Sequence, residues 1–162
     1  MTLCKESMVG SMLKHQKSES RYICLHRKIW NDDKFQFLSD TEQIVILHVM
    51  SNPMGEIGIY KASVEALASE KRKNIEDYKK AFNKGIECNY FEYDEKYRVI
   101  YIPNFQYYNP PGNPKIVKYF AKCFNEIPNC LLKQKYYENF KKQIESFGET
   151  WLQAFDESFQ DV

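Results

Sequence analysis

The sequence lacks the residue patterns that mark common enzyme active sites. It contains no Gly-rich phosphate loop, no Gly-x-Ser-x-Gly nucleophile motif and no His-Glu-x-x-His zinc motif. Nucleotide hydrolysis and the common hydrolase mechanisms therefore have no support. Tyr107 and Tyr108 are adjacent, but the sequence has no histidine cluster or Arg-His-Arg set to assist a strand-cleaving tyrosine. We expect a protein that is not an enzyme and uses no cofactor.

Cysteine and histidine are too sparse and too scattered to predict a metal site. The five cysteines include no Cys-x-x-Cys pair, and the three histidines are not at ligand spacing from them. Reduced thiols are the expected state, as in an intracellular protein. The sequence also has no apolar run of about eighteen residues, and residues 1–20 lack an apolar core followed by a cleavage site. We therefore expect neither a membrane span nor a secretory signal.

An excess of charge of one sign is also absent, because the formal net charge of the 162 residues is only +1. The charges are nevertheless unevenly distributed. Residues 71–84 carry six basic side chains against two acidic ones, whereas residues 143–162 carry five acidic side chains and no lysine or arginine. A nucleic-acid surface is therefore expected at the first segment. With 43% hydrophobic residues, the chain can bury one sizeable core.

Residues 63–102 predict two helices followed by a hairpin. The first helix spans residues 64–70 and the second residues 75–88, and each follows a side chain suited to N-capping, Ser63 or Asn74. Apolar residues of the second helix recur every three or four positions, which places them on one face. These residues are Ile75, Tyr78, Phe82 and Ile86.

The hairpin consists of two aromatic and β-branched runs, residues 90–93 and 97–102, joined by residues 94–96. Two helices, a short turn and a hairpin form the outline of a winged helix-turn-helix. Apolar residues at helical spacing continue after Asn113 and Pro114, a cap and first-position pair. The predicted fold class is therefore α+β and mainly helical, a winged helix-turn-helix with a C-terminal helical extension.

Three regions follow from this pattern. Residues 1–20 are predicted to be a flexible N-terminal arm, residues 21–110 a winged-helix DNA-binding domain, and residues 111–162 the helical extension. Further strand candidates lie at residues 22–25 and 57–60.

The centre of the middle region is predicted to be an apolar helix. Ser39 and Glu42 fit a capping box at its start. His48 lies within it and is interpreted as a hydrogen-bonded residue at the edge of the core in preference to a ligand or a switch. The residues before the helix that are expected to pack inward are Phe35, Phe37 and Leu38.

The second helix of residues 63–102 has the side chains that a DNA-reading helix needs. A helix fits the major groove, where Asn83 can pair with adenine and Lys80 and Lys84 can contact guanine or phosphate. Backbone amides at the helix start favour phosphate as well. A lysine-rich face taken alone is more often a solvated surface. The predicted DNA-binding residues are Lys71, Arg72, Lys73, Asn74, Lys80, Asn83, Lys84, Lys96 and Arg98.

The hairpin is rich in aromatic residues, which have two interpretations. Exposed rings would stack on unpaired bases, as in single-strand binders. Rings on a hairpin more often pack on the helices behind it, and this is the favoured interpretation. The residues concerned are Tyr90, Phe91, Tyr93, Tyr97 and Tyr101.

Several short segments within residues 21–114 resemble phage and prophage replication proteins of the replisome-organiser, or DnaD-like, type. The resemblance covers a little over half of the chain and includes no catalytic signature. The chain departs from that family in its short helical C-terminal part and in its compact, charged turn at residues 71–74. The matching segments are Tyr22-Ile23, the run from Lys28 to Phe35, Leu38-Ser39, Gly58-Ile59-Tyr60, Asn104-Phe105, the run from Tyr108 to Pro111, and Asn113-Pro114.

The resemblance implies a winged helix that binds double-stranded DNA in replication initiation, with origin binding, replisome organisation or helicase loading as the process. It also implies self-association, a replicative helicase or its loader as a partner, and a location in the cytoplasm of a bacterial host, near the nucleoid. Two alternatives remain open, because fold alone does not decide function. One is a winged-helix transcriptional regulator, and the other is a protein-interaction module that binds a replication or host factor.

Overall fold

The computed structural model describes residues 23–160 and shows a mainly helical chain with one small antiparallel sheet, as predicted. The predicted arm, residues 1–20, lies outside the described residues. Short 3-10 turns occur at Arg27–Asn31 and Pro53–Gly55. The strands are β1 (Ile59–Lys61), β2 (Glu92–Asp94) and β3 (Val99–Tyr101). The helices are α1 (Asp33–Gln36), α2 (Asp40–Met50), α3 (Val64–Glu70), α4 (Ile75–Glu87), α5 (Phe105–Tyr108), α6 (Pro114–Asn125), α7 (Leu131–Glu145) and α8 (Glu149–Ser158).

Local capping chemistry determines where several of these helices begin. Ser39 and Glu42 form the predicted capping box at the start of α2. The Ser63 hydroxyl accepts a hydrogen bond at the start of α3, and the side-chain oxygens of Asn74 and Asn113 do the same for α4 and α6. Each oxygen satisfies an amide that would otherwise lack a partner in the first turn. The predicted bounds of α3 and α4 are therefore correct to within one residue.

The sheet has the order β1-β3-β2, with antiparallel pairing on both sides of β3. Every residue of this central strand is fully buried. Because successive side chains of a strand point to opposite faces, Ile100 packs on one side of the sheet, and Val99 and Tyr101 pack on the other. The strand therefore separates two hydrophobic cores.

Helices cover both faces of the sheet. The first core includes side chains from α1, α2, α3 and α4, and the second includes side chains from α6, α7 and α8. Large residues of the first core are Phe35, Ile46, Tyr60, Tyr78, Phe82 and Phe91. Large residues of the second core are Phe120, Phe124, Tyr136, Phe140, Ile144 and Phe155.

Polar side chains spaced four residues apart attach α7 to the rest of the fold. The Lys135 ammonium lies 2.5 Å from a carboxylate oxygen of Glu92 in β2. Asn139 donates a hydrogen bond of 2.9 Å to the Tyr101 hydroxyl, and Gln143 donates one of 2.7 Å to a backbone carbonyl in α5. The predicted C-terminal helices therefore contact the hairpin directly. The predicted domain boundary near residue 110 remains a prediction.

Two local predictions before α2 are wrong. Residues 23–25 form no strand, and residue 22 lies outside the described part of the chain. Phe37, expected to pack inward, is 91% exposed. Phe35 and Leu38 are three positions apart on a helical turn and share its buried side, so that the two residues between them, Gln36 and Phe37, point away.

The hairpin is shorter than predicted, and its turn lies further along the chain. An Asp94 carboxylate oxygen accepts a hydrogen bond of 3.0 Å from the Tyr97 backbone amide, which closes a turn over residues 95–98. Lys96 and Arg98 both lie in this turn. The first strand begins at Ile59, because Gly58 has a φ of +84° that interrupts extended backbone.

Gly85 allows α4 to pack closely against two residues of the first core, Phe91 and Ile46. A Cβ atom at this position would lie 2.5 Å from Cζ of Phe91 and 3.1 Å from Cγ1 of Ile46. Both side chains are fully buried, so an added methyl group would have to displace packed atoms.

We expect Gly85→Ala to lower the free energy of unfolding by about 1–3 kcal/mol, because the added methyl group overpacks the core. This would occur although alanine is favoured over glycine inside a helix by about 1 kcal/mol. Urea denaturation would measure the change, with Asn83→Ala at an exposed position of the same helix as the control. An unchanged or raised stability of Gly85→Ala would contradict the close approach.

Candidate nucleic-acid interface

The basic turn between α3 and α4 is closed by the backbone hydrogen bonds of a Schellman motif. The Arg72 amide donates to the Ser69 carbonyl (2.9 Å), and the Lys73 amide donates to the Ala68 carbonyl (3.0 Å). Arg72 has a φ of +51°, the left-handed conformation that glycine adopts most easily. For a residue with a Cβ atom this conformation costs on the order of 1 kcal/mol. The turn therefore retains an arginine where glycine would be less strained.

A second arginine has the same backbone conformation in the hairpin turn. Arg98 has a φ of +55°, and its carbonyl accepts a hydrogen bond of 2.9 Å from the Ala62 amide, just before α3 begins. Asparagine is the more usual non-glycine residue in the left-handed region. Two basic side chains are thus held in strained turns, one in the turn before α4 and one in the hairpin turn after it.

Eight of the nine predicted DNA-binding residues are exposed, the exception being Lys84. These side chains are not equally free to contact DNA, because some already make hydrogen bonds within the protein. The Asn74 side-chain oxygen accepts hydrogen bonds from the Glu76 and Asp77 amides, so this side chain positions the helix start. Lys84 donates a hydrogen bond of 3.0 Å to Glu87, and this bond raises the pKa of the lysine. Lys80 and Asn83 remain exposed on the outer face of α4.

The positive excess of this region lies in the turn and not in α4. Within α4, three lysines are balanced by Glu76, Asp77 and Glu87. The turn contributes Lys71, Arg72 and Lys73 without an acidic neighbour inside it. The turn is therefore the part of this surface where positive charge is most concentrated. The mixed charges on α4 disfavour indiscriminate phosphate binding.

Lys79 belongs to the same surface, although it is not one of the nine predicted DNA-binding residues. The pKa of the Glu65 carboxyl is lowered first by a hydrogen bond to its own backbone and then by Ser63, Lys79 and Arg98. Lys79 of α4 and Arg98 of the hairpin turn therefore lie near the same carboxylate at the start of α3. In the sequence, the position of Lys79 directly next to the predicted DNA-binding residue Lys80 was the feature that could have indicated its place on this surface.

A hydrogen-bonded network joins α2, α3 and α4 behind the turn. Nδ1 of His48 lies 2.8 Å from the Tyr78 hydroxyl, and Nε2 lies 3.2 Å from a Glu70 carboxylate oxygen. The same oxygen accepts a hydrogen bond of 3.1 Å from the buried Asn52 side chain. This confirms the interpretation of His48 as a hydrogen-bonded residue at the edge of the core.

Most aromatic side chains of the hairpin pack inward, as the favoured interpretation predicts. Phe91 and Tyr101 are fully buried. The Tyr93 ring lies 5.2 Å from the Phe82 ring in an edge contact, and the half-buried Tyr90 ring makes a similar contact with Phe35. These rings are used for packing and are not displayed for stacking on bases.

Within residues 23–160, no group of three or more His, Cys, Asp or Glu side chains is arranged to hold a metal ion. The same residues include no helix with the length and apolar character needed to cross a membrane. The cysteines in this part of the chain are free thiols.

Comparison of the chain with protein-family models, with curated proteins and with solved structures found no match in any of the three. The geometry of the described residues is therefore the basis for assigning a function.

The His48 network makes stability depend on pH. Burial lowers the pKa of His48, and Lys71 lowers it further, while Glu70 partly opposes both. The folded state then binds fewer protons than the unfolded state just below the ordinary histidine pKa of about 6.5. We expect the free energy of unfolding to fall as the pH is lowered from about 7.5 to about 5.5.

Urea denaturation across this range would measure the effect. His48→Gln, which keeps hydrogen-bonding groups but cannot titrate, should show a flatter dependence on pH. Equal slopes for the wild type and this variant would show that His48 is not responsible.

Proposed function

We propose that the chain is a winged-helix DNA-binding protein that acts in replication initiation by binding double-stranded origin DNA, and that it is not an enzyme. The order α2-β1-α3-α4-β2-β3, with β3 at the centre of the sheet, is the order expected of this class. The observation that carries the proposal is that Arg72, in the turn before α4, and Arg98, in the hairpin turn after it, are both exposed and both have a strained left-handed backbone. The resemblance to replisome organisers supports the role in replication.

In this proposal α4 enters the major groove of the duplex. Its outer face presents Lys80 and Asn83, whose side chains suit guanine or phosphate and adenine respectively. Glu76 and Glu87 lie on the same face, where a carboxylate can accept a hydrogen bond from cytosine. A helix with both donors and acceptors favours discrimination between bases over uniform affinity.

The turn before α4 and the hairpin turn after it would contact the phosphate backbone. Lys71, Arg72 and Lys73 lie next to the start of α4, where backbone amides also attract phosphate. Lys96 and Arg98 of the hairpin turn add positive charge, and Lys79 lies near the same Glu65 carboxylate as Arg98. Phosphate contacts of this kind set orientation and affinity, and base contacts on α4 set specificity.

The same surface would also suit a transcriptional regulator. The binding partners of the protein distinguish an initiator from a regulator. For an initiator we propose self-association on origin DNA and contact with a replicative helicase or its loader. A single palindromic operator bound by a dimer would favour the regulator. A protein that binds no DNA would instead be an interaction module.

We expect binding to random duplex DNA to weaken with salt, with a slope of log affinity against log salt of roughly −3 to −6. Fluorescence anisotropy of a labelled duplex at several salt concentrations would measure this slope. Lys80→Ala should weaken binding, whereas Lys118→Ala, an exposed lysine of α6, should not. A flat salt dependence, or equal effects of the two variants, would contradict the proposed interface.

Arg72→Gly separates the folding role of the turn from its binding role. Glycine relieves the left-handed strain, so the free energy of unfolding should stay the same or rise by up to about 1 kcal/mol. Duplex affinity should nevertheless fall, and the magnitude of the salt slope should decrease by about 1. Arg72→Lys is the matched control that keeps the charge and should bind nearly as well as wild type. Wild-type affinity of Arg72→Gly would exclude Arg72 from the interface.

A further inference from the structure

Three exposed aromatic rings form a surface that the proposed duplex interface does not use. Tyr107 and Tyr108 of α5 are 72% and 42% exposed, and His26 lies beside them in the segment before the first 3-10 turn. The Tyr107 and Tyr108 rings are 5.1 Å apart with planes at 88°, and the His26 and Tyr108 rings are 5.3 Å apart at 50°. We call these three side chains the aromatic surface.

The aromatic surface is held together by hydrogen bonds from one side chain. The Asn109 side-chain oxygen accepts a bond of 2.6 Å from the Cys24 amide, and its nitrogen donates to the carbonyls of Cys24 and Phe105. Cys24 and Asn109 are 85 positions apart in the sequence. These hydrogen bonds hold the segment that carries His26 against α5, so that the rings are already arranged before any ligand binds.

The charges around the aromatic surface favour an anionic partner. Residues 102–125 contain three lysines and no aspartate or glutamate, and Lys115 lines a neighbouring recess together with Tyr108 and Glu56. His26, Lys28 and Tyr108 line one recess of about 300 Å³, and Arg27 is exposed next to them. Asp32 supplies an acidic group on the wall of the recess. A recess of this volume is at the small end of ligand pockets and suits one base better than a larger ligand.

Packing does not explain why Tyr107 is aromatic, since most of its side chain is exposed to solvent. Proteins that bind unpaired nucleic acid combine exposed rings, on which bases stack, with nearby positive charge for the backbone. We propose that the aromatic surface binds unpaired nucleotides of single-stranded DNA. Tyr107 supplies a stacking face, and Arg27 and Lys28 contact the phosphates.

The position of this surface relates it to the proposed duplex site. Asn89 and Tyr90, which follow α4, line the same recess, whereas the basic turn lies at the other end of that helix. A helix of 13 residues is about 20 Å long. The two surfaces are therefore separated by roughly the length of α4, which would let the protein hold a separated strand near its duplex. This spatial relation rests on the proposed function, whereas the single-strand site itself does not.

Fluorescence anisotropy with a labelled oligothymidylate of twelve nucleotides at low salt tests the site. Wild type should bind it, and Tyr107→Ala should bind about tenfold more weakly, as expected for the loss of one stacked base. Tyr107→Phe keeps the ring and should bind nearly as well as wild type. Phe37→Ala is the matched control, because Phe37 is an aromatic residue that is 91% exposed and is not one of the three rings of the aromatic surface. Circular dichroism would verify that each variant is folded.

Three results would overturn the proposal. They are failure of wild type to bind the oligonucleotide, wild-type affinity of Tyr107→Ala, and an equal loss of affinity in Phe37→Ala. Lys80→Ala in the same assay distinguishes this site from the duplex interface. It should lose duplex affinity and keep oligothymidylate affinity, so that failure of either surface is seen independently of the other.

Discussion

Burial of β3 on both faces is the constraint on which the rest of the structure depends. Ile100 belongs to the core under α2 and α4, while Val99 and Tyr101 belong to the core under α6, α7 and α8. A strand of three residues contributes few hydrogen bonds, so side-chain burial must supply much of its stability. Loss of the C-terminal helices would expose Val99 and Tyr101 to water. The hairpin that carries Arg98 is therefore held in place from two directions.

This arrangement supports the proposed duplex interface from behind, while its basic side chains stay exposed. Gly85 allows α4 to lie directly against Phe91, and the His48 network fixes the ends of α2 and α3 behind the turn. The strained conformations of Arg72 and Arg98 are tolerated because the surrounding hydrogen bonds determine them. The exposed side chains of Arg72 and Arg98 project from these two turns.

The charge pattern divides the molecule into surfaces that favour different binding partners. The turn before α4 is basic, α4 is balanced, and α5 with its neighbours is aromatic and free of acidic residues in sequence. The C-terminal residues 143–162 are acidic in sequence. Repulsion from phosphate would keep DNA away from that end, which leaves it available for a basic protein partner in the proposed function.

Local chemistry in the sequence determined most helix bounds, whereas packing decided which side chains meet. The caps at Ser63 and Asn74 act within three residues, so that the sequence pattern predicts α3 and α4 correctly. The double burial of β3 and the outward position of Phe37 depend on elements distant in sequence, which periodicity within one segment cannot encode. Two further contacts also depend on elements that are distant in sequence. His26 contacts Tyr108, and Lys79 and Arg98 lie near the same Glu65 carboxylate. Only the tertiary structure brings such residues together, because their proximity results from the packing of the two cores and, for His26 and Tyr108, from the hydrogen bonds between Asn109 and the distant Cys24.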